Sequence, residues 1–196
     1  MATDAHLIET CIGSEELLKG RFLHAFRDTV RLPDGTESIR EYVRHPGAVM
    51  IIALLEEGAQ TRVVLERQFR YPVGQVMIEF PAGKLDPQES VADCARRELH
   101  EETGFQAREW ARAGQIHPCI AYSTEFIDIW FARGLTAGER KLDAGEFLDV
   151  FSATPAELLQ WCQQGLVTDA KTLSGALWLH NVLNGVWPLA WETDPK

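Results

Sequence analysis

The chain has 196 residues, 45% of them hydrophobic and 24% charged, which predicts one soluble globular domain, or one domain with a modest appendage. Its formal net charge of -10 sets it against general nucleic-acid binding, because neutralising phosphates takes clustered Lys and Arg. Cys11, Cys94, Cys119 and Cys162 form no C-x-x-C pair and read as reduced thiols in or near the core. MATDAHLIETCIG lacks the basic start and apolar run of a signal peptide, and no stretch reaches the roughly 18 apolar residues of a membrane span. The expectation is a cytoplasmic protein that binds neither nucleic acid nor membrane.

In chain order, residues 17–32 alternate loosely into the turn Pro33-Asp34-Gly35, and residues 37–44 return as a strand, which predicts an N-terminal β-hairpin. His45-Pro46-Gly47 interrupts the pattern and marks the one boundary, dividing an antiparallel β region (1–45) from a main domain (46–196). The main domain opens with strand-length apolar runs at 48–55 and 61–67, joined by a turn near 56–60, and a shorter one at 75–80. Residues 90–103 read as helix, with Ala92, Ala95 and Leu99 as its apolar stripe and Gly104 as its stop. Strands are expected at 111–117, 125–132 and 146–151, and helices at 155–164 and 169–184. Strands, helix, strands and two helices make an α+β chain of the α/β/α layered kind.

The chemistry concentrates in PAGKLDPQESVADCARRELHEETGF (81–105). Glu98, Glu101 and Glu102 stand at i, i+3 and i+4, so one helix face carries three carboxylates. Such a face is self-repelling, and a hard divalent cation, Mg²⁺ or Mn²⁺, reverses the penalty. Glu89 sits at the helix start, where the dipole favours an anion, and Arg97 is placed to hold a neighbouring carboxylate. Gly83 lets the backbone approach closely after Pro81, and the Ala82 carbonyl offers a further oxygen. A solvated acidic surface helix is the plain alternative for three glutamates taken alone.

The wider spacing goes further. Gly83, five residues, Glu89, seven residues, Arg97-Glu98, Leu99, one residue, Glu101-Glu102, one residue, Gly104 and Phe105 resemble the Nudix box at every specified position. The resemblance implies a mixed sheet between helices, an α/β/α sandwich, preceded by the N-terminal β-hairpin region. It also implies hydrolysis of a nucleoside diphosphate linked to another group. Glu98 and Glu102 are then the principal metal ligands, assisted by Glu101 and the Ala82 carbonyl. Gly83, Glu89, Arg97 and Gly104 shape the loop and helix.

The flanks ERQFRYPVGQVMIEFPAGKLD (66–86), LPDG (32–35) and TDAKTL (168–173) look like the ADP-ribose pyrophosphatase subfamily. By that resemblance the substrate is ADP-ribose or a related nucleoside diphosphate sugar, the products are AMP and ribose 5-phosphate, and the enzyme is a homodimer joined through its N-terminal region. Phe22 falls where an aromatic ring stacks on adenine; Arg40 and Glu41 line the base pocket; Arg44 and Arg70 grip phosphates and distal ribose. Pro118 is the subfamily's proline beyond the box, and Tyr122, Ser123 and Glu125 lie near the pocket. A loop carboxylate acts as general base or extra metal ligand, and among Glu139, Asp143 and Glu146 the choice falls on Glu146. Arg40, where an aromatic is common, keeps open GDP-mannose or broad sugar-nucleotide hydrolysis. A Nudix-fold sensor that binds without cleaving is the reading of another class.

Overall fold

The computed structural model describes residues 4–57 and 60–194; Gly58 and Ala59, within the turn expected near 56–60, lie outside the described residues. The chain forms two compact units, Met1–Pro46 with Cys119–Phe126, and Gly47–Pro118 with Ile127–Lys196.

The first unit is a three-stranded antiparallel sheet in the order β1 (Thr10–Lys19), β2 (His24–Arg31), β3 (Glu37–Arg44). The run 17–32 is therefore two strands, not one arm of a hairpin. The chain reverses after Lys19, where the Gly20 amide donates to the Leu23 carbonyl at 2.8 Å. At 32–36 the Gly35 amide closes on the Leu32 carbonyl at 2.9 Å, with Gly35 at φ 88°. Phe26 and Val30 of β2 are buried, whereas every residue of β1 is exposed. Cys11, expected in or near the core, is exposed on β1; all four cysteines are free thiols, and Cys94 is the buried one. Segment 119–126 joins β3, with the Val43 amide on the Tyr122 carbonyl at 2.8 Å and the Thr124 amide on the Val43 carbonyl at 3.0 Å.

The second unit contains β4 (Ala48–Glu57), β5 (Gln60–Arg70), β6 (Gln75–Glu79), β7 (Ala82–Lys84), α1 (Val91–Thr103), β8 (Phe105–Ile116), β9 (Ile127–Ala137), β10 (Leu148–Ala153), α2 (Pro155–Gln163), α3 (Ala170–Leu183) and β11 (Glu192–Thr193). The sheet runs β10-β5-β4-β9-β8-β11, with β6 added to β5 and β7 to β4. It is mixed: β4 and β9 are parallel, and the other neighbours are antiparallel. β4 reads as an unbroken apolar run because both of its faces are covered. Met50, Ile52 and Leu54 pack with Phe80, Leu158 and Leu179 on the α2/α3 side, and Val49, Ile51 and Ala53 pack with Cys94, Ala95 and Leu99 of α1 on the other. That is an α/β/α sandwich.

The helix ends follow from local chemistry. The Ser90 hydroxyl accepts the Asp93 amide, and Gly104 closes α1 in the left-handed region at φ 76°. Thr154 and Glu157 form a capping box ahead of Pro155, and Asp169 caps α3 through the Thr172 amide. Strand β8 begins at once after Gly104 rather than at 111, because Ala107 and Trp110 bury against the α1 side. Strands β7 and β11 were not expected at all; each is too short to show alternation. Among the described residues no helix is long and apolar enough to cross a membrane.

Candidate active site

The pairing of β7 with β4 sets Gly83 opposite Val49 and brings the strand end under α1. A Cβ built on Gly83 would stand 1.9 Å from the Glu98 carboxylate carbon, so the missing side chain is the space that Glu98 occupies. The neighbouring Ala82 amide donates to Glu102 Oε2 at 3.0 Å. The same alanine carries the carbonyl expected as a further metal oxygen.

Arg97 gathers the rest of the box. Its Nε and Nη2 donate to the two Glu89 oxygens, each at 2.8 Å, and Nη2 also reaches the Lys84 carbonyl at 3.1 Å. Its Nη1 donates to Glu98 Oε1 at 2.8 Å and Glu101 Oε2 at 3.0 Å. One guanidinium therefore ties the loop before α1 to two carboxylates on it. The hydrogen bonds from Arg97 hold the Glu89 carboxyl down to about 2, against an ordinary 4.5. A depressed carboxyl contributes stability that is complete above its ordinary value and lost as pH falls from there towards 2. Glu89→Gln is accordingly expected to cost on the order of 1–2 kcal/mol at neutral pH. It should also flatten the loss of stability between pH 5 and 2.5, as read by urea unfolding at several pH values. An unchanged acid profile would remove the pair from the account.

Behind this surface layer lies a buried one. Glu66 of β5 is 0% exposed, Glu79 of β6 2% and Glu102 of α1 3%. Glu79 is well supplied: Arg70 holds it through two bonds of 2.7 and 2.8 Å, and Lys171 of α3 contacts it while reaching Asp169 at 2.9 Å. Burial alone would raise the Glu79 carboxyl, but Arg70 and Lys171 bring it below its ordinary value. The other carboxyls go the opposite way. Burial pushes Glu98 up to about 7 and Glu66 up to about 8, the latter helped by the charges of Glu79 and Glu146. Glu102 is also raised, by burial and then by Glu66, Glu98 and Glu146.

The loop after β9 joins the cluster through one residue. Glu146 is half-buried, accepts from Gln68 Nε2 at 3.2 Å, and its charge is felt by Glu66, Glu98 and Glu102. Glu139 and Asp143 are exposed. Glu66, Glu79, Lys171 and Asp169 were not singled out by sequence. The available signal was a charged residue in the apolar run VVLE, on the face shared by Val64 and Gln68.

The residues of the first unit form their own arrangement. Phe22, half exposed, meets His45 edge-on at 5.8 Å. Phe26 and Tyr42 stack across β2 and β3 at 5.8 Å, and the Arg44 guanidinium lies 3.8 Å from the Phe26 ring centre. Arg40 is held by Glu9 through bonds of 2.9 and 2.5 Å, and Glu41 by Arg27 at 2.8 and 3.0 Å. The tryptophans near the C-terminus pack: Trp178 on Trp187 at 4.6 Å, and Trp161 on Phe151 at 6.1 Å.

The carboxylate set suits a hard divalent cation on two counts. Glu66 keeps two buried oxygens with no hydrogen-bond partner, and Gly83 leaves a cradle that a Cβ would fill. Among the described residues no three acidic, thiol or imidazole side chains already converge on one point. Glu98 and Glu101 are turned onto Arg97, and Glu102 onto the Ala82 amide. Arg97 thus takes part of the charge that a cation would neutralise. Chemically, such a group can gather phosphate oxygens and an attacking water around metal-held charge.

The chain is similar to known proteins over most of its length. The NUDIX domain matches residues 44–173, and the nucleoside diphosphate sugar hydrolase N-terminal domain matches residues 9–43. The chain is 34% identical over 168 residues to the ADP-ribose pyrophosphatase of Bacillus subtilis (strain 168), covering 85% of this chain and 89% of that one. It is 37% identical over 176 residues to the methanol dehydrogenase activator of Bacillus methanolicus, covering 88% and 92%. A solved structure described as an ADP compounds hydrolase shares the fold with a TM-score of 0.80 at 22% identity, over 90% of this chain and 95% of that one. With its box complete from Gly83 to Gly104, the chain belongs to the Nudix family, as a hydrolase related over most of its length to the ADP-ribose pyrophosphatases.

Proposed function

We propose that this Nudix hydrolase cleaves the diphosphate bond of ADP-ribose, or of a closely related nucleoside diphosphate sugar, with Mg²⁺ or Mn²⁺, releasing AMP and ribose 5-phosphate. The observation that carries the reading is half-buried Glu98 in the Gly83 cradle and buried Glu102 on the Ala82 amide, together with the unpartnered oxygens of Glu66. Glu98 and Glu102 hold the metal, with Glu101 and the Ala82 carbonyl assisting. Bound there, the ion neutralises phosphate oxygens and lowers the pKa of water.

The remaining work belongs to the chain's own residues. Arg97, fixed by Glu89, releases Glu98 and Glu101 for the cation while keeping the loop in place. Glu146, steadied by Gln68, takes the proton from the attacking water at its carboxylate. Arg70, already oriented by Glu79, has further N–H donors for the diphosphate or distal ribose. In the N-terminal unit Phe22 stacks on the base, Arg44 binds phosphate, and Arg40 and Glu41 border the base pocket. The protein acts in the cytoplasm as a homodimer built through that unit, which the exposed strand β1 suits.

A second reading, GDP-mannose or broad sugar-nucleotide hydrolysis, is favoured by one observation: Arg40 stands where a second aromatic is common and is tied to Glu9. A panel of ADP-ribose, GDP-mannose, UDP-glucose and NADH with Mg²⁺, and with EDTA as control, separates them. Faster AMP release from ADP-ribose is the expected result. A preference for GDP-mannose overturns the base-pocket assignment, and tight binding without turnover turns the protein into a sensor.

Gly83→Ala tests the cradle. The new Cβ displaces the Glu98 carboxylate, so kcat is expected to fall by about a hundredfold, as misplacement of a reacting group by an ångström can do. The unfolding temperature should hardly change, because the clash is with a side-chain tip. Steady-state kinetics beside thermal unfolding checks both halves.

A further inference from the structure

Glu66 is the one carboxylate of the buried layer with no bonding partner. The register of β5 puts it directly across from Glu79 on β6 and from Val150 on β10, with Val64 and Gln68 as its neighbours along the same face. Directly opposed residues of an antiparallel pair have their side chains on one face and within reach of each other. Glu79 takes up Arg70 and Lys171 by direct bonds. Glu66 is fully buried, and neither of its oxygens has a hydrogen-bond partner. The charges that act on it are those of Glu79, Lys171, Arg70 and Glu146, and its own acts on Glu102.

Burying a carboxylate this way is costly, and an apolar side chain of similar size would fill the same space without that cost. Two unpartnered hard oxygens, in a buried layer that also holds Glu102 and two residues from the Gln68 that bonds Glu146, are what an oxygen-seeking cation needs. We propose that Glu66 is a fourth carboxylate of the divalent-cation site, adding to Glu98, Glu101 and Glu102 a buried charge that strengthens cation binding. The inference rests on the reading of the carboxylate layer as a metal site.

Two variants of the full chain, Glu66→Gln and Glu66→Leu, separate this from a merely structural role. Mn²⁺ is titrated without substrate and followed by the EPR signal of the free ion, and unfolding midpoints are recorded in EDTA and in Mn²⁺. Both variants are expected to bind Mn²⁺ about tenfold more weakly. Both should also unfold at a higher midpoint than wild type in EDTA, with a smaller gain from Mn²⁺. The crossing of signs, tighter fold and weaker metal, is not produced by loss of an ordinary core residue. Mn²⁺ affinity equal to wild type in whichever variant folds overturns the inference. If Glu98→Gln weakens Mn²⁺ binding while the Glu66 variants do not, this inference alone fails. No Mn²⁺ binding by wild type sinks the metal-site reading with it.

Discussion

Glu102→Gln and Glu98→Gln are each expected to lower kcat by about a thousandfold at saturating Mg²⁺, since metal-held charge stabilisation is worth several kcal/mol and each 1.4 kcal/mol is tenfold. The fold should survive both changes. Glu102 is buried and its carboxyl is raised, so an amide of the same shape relieves the protein without metal rather than burdening it. The amide can still accept from the Ala82 N–H. Glu98 sits against Gly83 and gives up one bond from Arg97, which keeps Glu89 and Glu101. Circular dichroism and thermal unfolding alongside initial rates separate the two effects. Most of the activity persisting in both variants would take the metal away from this helix.

Lys171→Met carries the largest expected effect on stability. Lys171 is 12% exposed in its side chain and stands between Glu79 and Asp169, the latter capping α3. Removing it leaves Glu79, 2% exposed, with Arg70 as its remaining cation and with Glu66 opposite. Breaking a buried pair from one side costs about 3 kcal/mol or more. Urea unfolding should show that loss, and adding Glu79→Gln to Lys171→Met should recover part of it, as expected for two residues in one network. A Lys171→Met variant within about 0.5 kcal/mol of wild type would mean that Arg70 alone satisfies Glu79.

The elements legible in the sequence are those whose causes are local. Ser90 and Gly104 bracket α1 by capping chemistry within a few residues of its ends, and 48–55 reads as a strand because it is an apolar run of strand length. The split of 17–32 into β1 and β2 was hidden because Gly20-Arg21-Phe22-Leu23 has no Pro, Asn or Asp to announce a turn. Strand β7 has only three residues, and its existence depends on β4 lying beside it.

The site divides along the same line. The i, i+3, i+4 glutamates and Gly83 are a pattern within one segment, so they could be read directly. Arg70 was expected to face the substrate, and its bidentate partner Glu79 lies across the 71–74 turn, where pairing rather than pattern decides. Lys171 meets Glu79 from 92 positions away. Glu66 needed the whole sheet to become visible, since only register and burial reveal that its charge points inward unpaired.

Hydrolysis in water enriched with oxygen-18 tests the central claim most directly. With ADP-ribose and Mg²⁺, mass spectrometry of the products is expected to find one heavy oxygen on the phosphate of either AMP or ribose 5-phosphate, and no products in EDTA. A label in a sugar hydroxyl, or equal turnover in EDTA, would contradict metal-assisted attack of water on the diphosphate.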